Sequence, residues 1–397
     1  VPWTSTRLIC IRIFSLAWRS PRTAVVEALG AVAALQHERL AARGGRELLR
    51  SPSISHDVTS GGSGASRPPR GPAPRGRGSA RGARTVELSG LTLEVWYPAR
   101  PGSDVGVPAA QYDLRERMPP VEAAKIPDAD NAWLPCACAR DLPVDDALGP
   151  LPVIVFLHGA ASFRAQSVTL ATHWASRGYV VVAPDLPGVG LLETLGGGAM
   201  EFPFGVPTEV VRAVVAAPPG DPLGFIRPQL APRVALVGHS LGAMLMGTVT
   251  DTPGVAAMVS LAGAGAAAPE VPLLIVAGER DGVVPYAAKR DAARDARRRF
   301  VGLRGAGHLA FSDLCAIGAE RGGALAIAKA HGVRVPPILD TLGRDGCDPP
   351  AAPLAATNPP LLAATTAFLD EVLQCADATA TWRALAADPA VELVPAP

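Results

Sequence analysis

The sequence predicts a doubly wound, mostly parallel α/β sheet in one domain over about residues 85–376. Three observations carry this. Strand-like and helix-like stretches alternate along the whole span, as successive parallel strands require a crossover between them. Runs such as Pro152–Leu157 and Tyr179–Ala183 are short and continuously apolar, the mark of strands buried on both faces. Finally, Val234–Ala243 sets Ser240 between Gly238 and Gly242 directly after such a run. That is a strand, a tight turn presenting a serine, and a helix.

The elements follow in order. Thr85–Tyr97 alternates and is rich in β-formers, so it reads as edge strands or a hairpin. A proline-laden connection leads to Pro152 and the central strand. A helical pattern over Ala165–Ser176 stops at Gly178 and gives way to the strand Tyr179–Ala183. Thr208 is placed to cap a short helix through Ala216. The strand Arg233–Val237, the serine turn and a helix of roughly Leu241–Thr250 come next, then strands at Ala256–Leu261 and Val271–Ala277. Tyr286–Arg298 reads as a basic, exposed helix, Phe300–Leu303 as a strand, and Leu361–Gln374 as the last clear helix. A Gly/Pro-rich insertion occupies about 315–360, and 377–397 reads as a C-terminal extension. No internal repeat is visible.

The net charge of +1 conceals an asymmetry: residues 1–84 carry +10, with fourteen arginines and no lysine, and the remainder −9. From Ser51 to Arg84 nearly every residue is Ser, Gly, Pro, Ala or Arg, which cannot bury enough apolar surface to fold. Residues 1–84 therefore read as a disordered basic tail that the mature protein need not contain. The tail's Arg-rich stretch Ser51–Arg84 has no Phe, Trp or Tyr among the arginines, unlike a nucleic-acid binder, so no nucleic-acid partner is expected. Leu8–Ala17 is faintly like a signal peptide, but Arg12 interrupts it and no small-x-small cleavage site follows. Ala24–Leu35 is too short to span a bilayer, and no membrane span is expected. The chain opens on valine, which suggests an alternative start codon or an over-extended gene model. Six cysteines make no disulfide framework at this length, and Cys136/Cys138 lack a second pair or a histidine at metal-ligand spacing, so no metal is expected. A bridge among Cys315, Cys347 and Cys375 would suit an exported protein, and free buried thiols a cytosolic one. The sequence carries no signal of oligomeric state.

A serine hydroxyl becomes a nucleophile when a histidine takes its proton, and that histidine needs a carboxylate to fix its tautomer. The chain offers all three in the order serine, acid, histidine, each after a strand. Asp281 lies in Gly278–Pro285, 41 residues past Ser240, and His308 lies in Arg304–Leu309, 27 residues further on. Each interval fits one βα unit. Glu279 is the substitute acid, and a turn or cap residue is the plain alternative for Asp281. The other histidines fit less well: His37 and His56 lie in the tail, His173 on a helix, His331 in the insertion, and His239 beside the serine, where a side chain packs. His158-Gly159 follows the central strand, so the N–H groups of Ala160 and Leu241 are the expected oxyanion donors, with Ala161 a one-residue alternative to Ala160.

Together these residues resemble the α/β-hydrolase superfamily over most of 85–376. The nearer likeness is to the platelet-activating-factor acetylhydrolase and dienelactone-hydrolase-like group, shading into bacterial cutinases and polyester hydrolases. The resemblance rests on Glu94–Ala99, His158-Gly159 with Arg164–Ser167, Ala175–Asp185, Gly238–Gly242, Asp281–Pro285 and Gly307–Asp313. It implies a serine carboxylic-ester hydrolase with no metal or organic cofactor, acting on a small-molecule, lipid or polymer ester. Dienelactone hydrolases carry cysteine in place of the serine at this turn, so Ser240 argues against that activity. Only about ten residues part Leu261 from Val271, where this superfamily inserts lids. An α/β-hydrolase fold without a large lid, and an open cleft, are expected. The loop Ala262–Pro269 lacks the tryptophan that the polyester hydrolases share there, which weakens a polymer substrate. Phe163 and Met244 are the candidate cleft-lining residues, and the insertion after His308 is a further candidate border. The rival activities are a lipase or cutinase-like polyester hydrolase and, lower, a peptidase. The rival of another class is a catalytically silent fold used as a binding module.

Overall fold

The computed structural model describes residues 80–218, 220–249, 252–263, 271–291, 293 and 298–394. Nearly all of the expected basic tail, with the stretches Leu8–Ala17 and Ala24–Leu35, lies outside these residues, as does most of the loop Ala262–Pro269.

The chain begins with a hairpin, β1 (Arg81–Leu88) and β2 (Leu91–Pro98), in antiparallel register. Its two-residue turn, Ser89-Gly90, has positive φ at both positions, the form that matches the twist of the flanking strands. The proline-laden connection is not featureless. It holds a small antiparallel pair, β3 (Gln111–Asp113) with β4 (Trp133–Pro135), and β5 (Ala139–Arg140), which lies parallel to β1. A Cys136–Cys138 disulfide sits between β4 and β5. Then follow β6 (Leu151–Leu157), α1 (Val168–Ser176), β7 (Val180–Pro184), α2 (Leu191–Gly196) and α3 (Val206–Val215). The second half runs β8 (Leu230–His239), α4 (Leu241–Met246), β9 (Val255–Leu261), β10 (Leu273–Gly278), α5 (Tyr286–Asp291) and β11 (Arg298–Leu303). After the insertion helices α6 (Ala324–Ala330) and α7 (Pro337–Leu342), the chain ends in α8 (Leu354–Gln374), α9 (Thr379–Ala387) and β12 (Val391–Val394).

The strands form one ten-stranded sheet in the order β12-β11-β10-β9-β8-β6-β7-β2-β1-β5. Strands β7, β6, β8, β9, β10 and β11 are mutually parallel; β12 and the β1–β2 hairpin join antiparallel. Successive residues of β8 feed opposite cores. Val234 and Leu236 pack with α3 and α4 on one face, Ala235 and Val237 with α1 and α8 on the other. That period of two on a strand buried on both sides is why these segments read as unbroken apolar runs. The chain leaves β6 for β7 on one side and returns to β8 on the other. The crevice at the carboxyl ends of β6 and β8 is therefore the topological switch point, where open α/β sheets bind ligands.

Four expectations need correction. The C-terminal segment is not an extension beyond the domain: α9 buries Trp382 and Leu385, and β12 completes the sheet beside β11. The helix expected from Leu361 starts at Leu354 and runs through Pro359 and Pro360, the burial of Thr357, Pro360 and Leu361 offsetting the two absent N–H donors. Thr208 caps nothing; α3 begins at Val206 with Gly205 at its N-cap and Pro207 in its first turn. The segment from Tyr286 is not simply an exposed helix, since Lys289 on α5 is 1% exposed.

Candidate active site

Ser240 follows β8 with φ +53° and ψ −115°, a strained conformation that turns its side chain out of the sheet. The two flanking glycines permit the turn. A β-carbon on Gly238 would lie 2.4 Å from the Ala243 nitrogen, and one on Gly242 would lie 2.1 Å from the Leu157 carbonyl oxygen. Both neighbours are backbone, so no side-chain rotation would relieve the clash.

His308 lies in a short 3₁₀ turn after β11, and Asp281 in the turn after β10. The three side chains meet although 68 residues part Ser240 from His308. His308 Nε2 is 2.9 Å from Ser240 Oγ, and His308 Nδ1 is 3.1 Å from both carboxylate oxygens of Asp281. All three residues are buried. Asp281 Oδ1 also accepts the N–H groups of Val283 (2.9 Å) and Val284 (2.8 Å), and Oδ2 accepts the ammonium of Lys289. Burial alone would raise the Asp281 pKa, but the imidazole of His308 and the ammonium of Lys289 outweigh it and hold the carboxyl well below the usual carboxylate range. Glu279, the substitute acid, points elsewhere: it accepts the Gly305 N–H and lies beside Arg304 at the surface.

His239 packs beneath this group. Its Nε2 donates to the His308 carbonyl oxygen at 3.0 Å, which leaves Nδ1 without a partner among the described residues. Burial, followed by repulsion from His308, pushes its pKa down to about 3, so the ring stays neutral.

The turn after β6 supplies the opposite wall. Ala161 N–H donates to Val189 O at 2.7 Å and is committed, and Gly159 N–H donates to Gln166 Oε1 at 2.9 Å. The N–H groups of Ala160 and Leu241 have no hydrogen-bond partner among the described residues, and both residues line the cleft beside Ser240. His158 donates from Nδ1 to Gly159 O and accepts the Leu186 N–H on Nε2. Burial lowers its pKa and keeps it neutral. Behind the loop, Arg164 bonds Asp185 and Glu94, and Arg140 also reaches Glu94. Three of the sequence stretches that carry the family resemblance thus meet in one buried ionic network that anchors this turn.

Ser240 and His308 border a cleft of about 570 Å³. One side is formed by Glu193–Phe202, with Met200 and Phe202; the other by Leu314, Pro336, Ile338, Leu339, Leu342 and Gly343 of the insertion. The insertion is therefore a cleft wall. Phe163 and Met244, expected along the cleft, do not border it. Phe163 turns into the core on the α1 face, and Met244 packs in the core on the α4 face. The isolated bridge between Ser162 and Gly190 and the burial of every residue of α4 account for this. Lys289, Asp345 and the α2–α3 connection were not picked out from the sequence, because lysine, aspartate and glycine-rich stretches are ordinary on surfaces. Cys315 and Cys347 are joined in a disulfide, while Cys375 is free and exposed. Among the described residues, no group of three or more His, Cys, Asp or Glu side chains is gathered to hold a metal ion, and no helix is long and apolar enough to cross a membrane.

Residues 154–271 match the family model described as the alpha/beta hydrolase family. No curated protein matches the sequence. Among solved structures, the ferulic acid esterase from Streptomyces cinnamoneus superposes with a TM-score of 0.56 at 20% identity, covering 81% of this chain and 98% of that one.

Proposed function

We propose that this chain, which matches the alpha/beta hydrolase family model over residues 154–271, is a serine carboxylic-ester hydrolase working through an acyl-enzyme. The observation that carries the reading is the 2.9 Å approach of His308 Nε2 to Ser240 Oγ, with Asp281 on the far nitrogen of the same ring. Ser240 Oγ attacks the ester carbonyl carbon while its proton passes to His308 Nε2. The tetrahedral oxyanion accepts the Ala160 and Leu241 N–H groups, each contributing about 3 kcal/mol to lowering the barrier. Collapse expels the alcohol, which takes the proton from the imidazolium, and water then repeats the sequence on the acyl-serine. Asp281 holds Nδ1–H toward itself and so keeps Nε2 free to accept. We assign this activity to residues 81–394. The likeness to a ferulic acid esterase and the apolar cleft support an ester with a bulky or apolar acyl group.

A second reading, action on esters at an insoluble surface, is favoured by one observation. Leu192, Met200 and Phe204, in and beside the segment that forms one cleft wall, are 47%, 37% and 46% exposed.

Hydrolysis of p-nitrophenyl esters from acetate to palmitate tests both readings. Ser240→Ala is expected to reduce turnover by a factor on the order of 10⁶ while leaving the circular dichroism spectrum unchanged. Retained cleavage in that variant rules the nucleophile out, and a rate that jumps on emulsified substrate favours the surface reading. A folded wild type inert to the whole ester series would favour the silent binding module.

A further inference from the structure

The insertion does more than wall the cleft; its return leg grips the turns that carry Asp281 and His308. The residue following the acid, Gly282, and the base itself each project a backbone N–H that no strand satisfies. One carboxylate takes both. Asp345 Oδ1 accepts His308 N–H at 2.8 Å, and Asp345 Oδ2 accepts Gly282 N–H at 3.1 Å. The Asp345 carbonyl accepts Leu309 N–H at 2.9 Å. The backbones interlock at the next residue: a β-carbon on Gly307 would lie 2.3 Å from Gly346 Cα, and Gly346 itself has φ +95°. Immediately beyond, Cys347 is bonded to Cys315, which closes a loop of sequence separation 32 at its base, just after the His308 turn. Arg344 and Asp348 pair across the same stretch.

We propose that Asp345 is a positioning residue for the reaction, tying the acid turn to the base turn, and that the Cys315–Cys347 disulfide holds it there. It touches neither substrate nor the reacting atoms. Its effect is to fix the His308 backbone relative to Asp281, so that Nδ1 stays in reach of the carboxylate while Nε2 faces Ser240. The proposal rests on the esterase reading of these three residues.

The experiment compares Asp345→Ala and Asp345→Asn with the wild type on p-nitrophenyl butyrate, taking kcat and KM separately. The downfield imidazole proton resonance of His308 is followed in parallel, assigned by its absence in His308→Ala. In Asp345→Ala, kcat is expected to fall about 10- to 100-fold, the scale of a misplaced reacting group. KM should stay within about twofold, and the resonance should shift or broaden through exchange. Asp345→Asn keeps one acceptor and should lie between. Reducing the disulfide in the wild type should move kcat and the resonance the same way. An unchanged kcat and resonance in folded Asp345→Ala overturns the proposal, and so does a loss confined to KM, which would make the segment a cleft wall only. Should Asp345→Ala fail to fold, Asp345→Asn and the reduced wild type decide by the same two readouts. Should the wild type prove inert to esters, the esterase reading fails while the resonance still decides whether Asp345 positions His308.

Discussion

Replacing Lys289 by methionine removes a charge that nothing local in the chain marks as special. Its side chain is fully buried and its ammonium bonds Asp281 Oδ2. At the 2.5 Å separation and an effective dielectric of about 20, the direct attraction is roughly 7 kcal/mol. Methionine fills a similar volume and no longer needs the ammonium's desolvation; burial lowers the Lys289 pKa in spite of Asp281, so removing that cost returns about as much as is lost. Asp281 keeps its bonds from Val283, Val284 and His308, so it is not left bare. The net expectation at pH 7 is a change of no more than about 2 kcal/mol, or about 3 °C in Tm for a domain of this size. The pH dependence sharpens the test. The folded-state pKa of Asp281 is depressed, so its contribution is fully present well above the unfolded value of about 3.9 and is lost as pH falls through the folded value. Without Lys289 the folded carboxyl protonates at higher pH than in the wild type. His308 still lowers that value in the variant, so the variant gains on the wild type only as pH falls through a folded value below about 3.9, by at most about 1.4 kcal/mol per pH unit. Urea unfolding at pH 7, 5, 4, 3 and 2 measures it. A stability gap between the two proteins that is constant over that range would refute the coupling between ammonium and carboxylate.

Gly242→Ala should force β6 and α4 apart by more than about 1 Å, destabilising the fold by about 1–3 kcal/mol. It should also lower kcat by on the order of 100-fold, because the Leu241 and Ala160 N–H groups would no longer converge; p-nitrophenyl ester kinetics and thermal melts check both. The depressed pKa values of His158, His173 and His239, the last two at about 4 and about 3, make unfolding take up protons between pH 6.5 and those values. Stability present above about pH 6.5 is lost as pH falls, and calorimetric unfolding at pH 5 in two buffers of different ionisation enthalpy should show uptake of at least about two protons.

Much of the central architecture was legible because local rules and tertiary context agree there. β6, β7 and β8 are apolar on both faces, and Gly238 and Gly242 mark a turn where backbone meets backbone. Where the two disagree, the reading slipped. β12 has four residues, introduced only by the Asp388-Pro389 turn, and the open edge of β11 is what makes it a strand. Phe163 and Met244 are apolar and close in sequence to the cleft, but sequence proximity does not say toward which side of a bend or helix a side chain turns. Lys289 stands beside Arg290 on α5, and nothing local separates the buried lysine from its exposed neighbour.

By itself the sequence determined the doubly wound sheet, the serine turn and the order of Ser240, Asp281 and His308 along it. Those follow from periodicity, glycine sterics and spacing, which act over a few residues. Only the tertiary structure decided that Asp281 shares its carboxylate with a buried ammonium, that the insertion walls the cleft, and that Asp345 bridges two turns. These depend on contacts between segments 37 to 68 residues apart or on which face of an element is covered, and no local interaction encodes them.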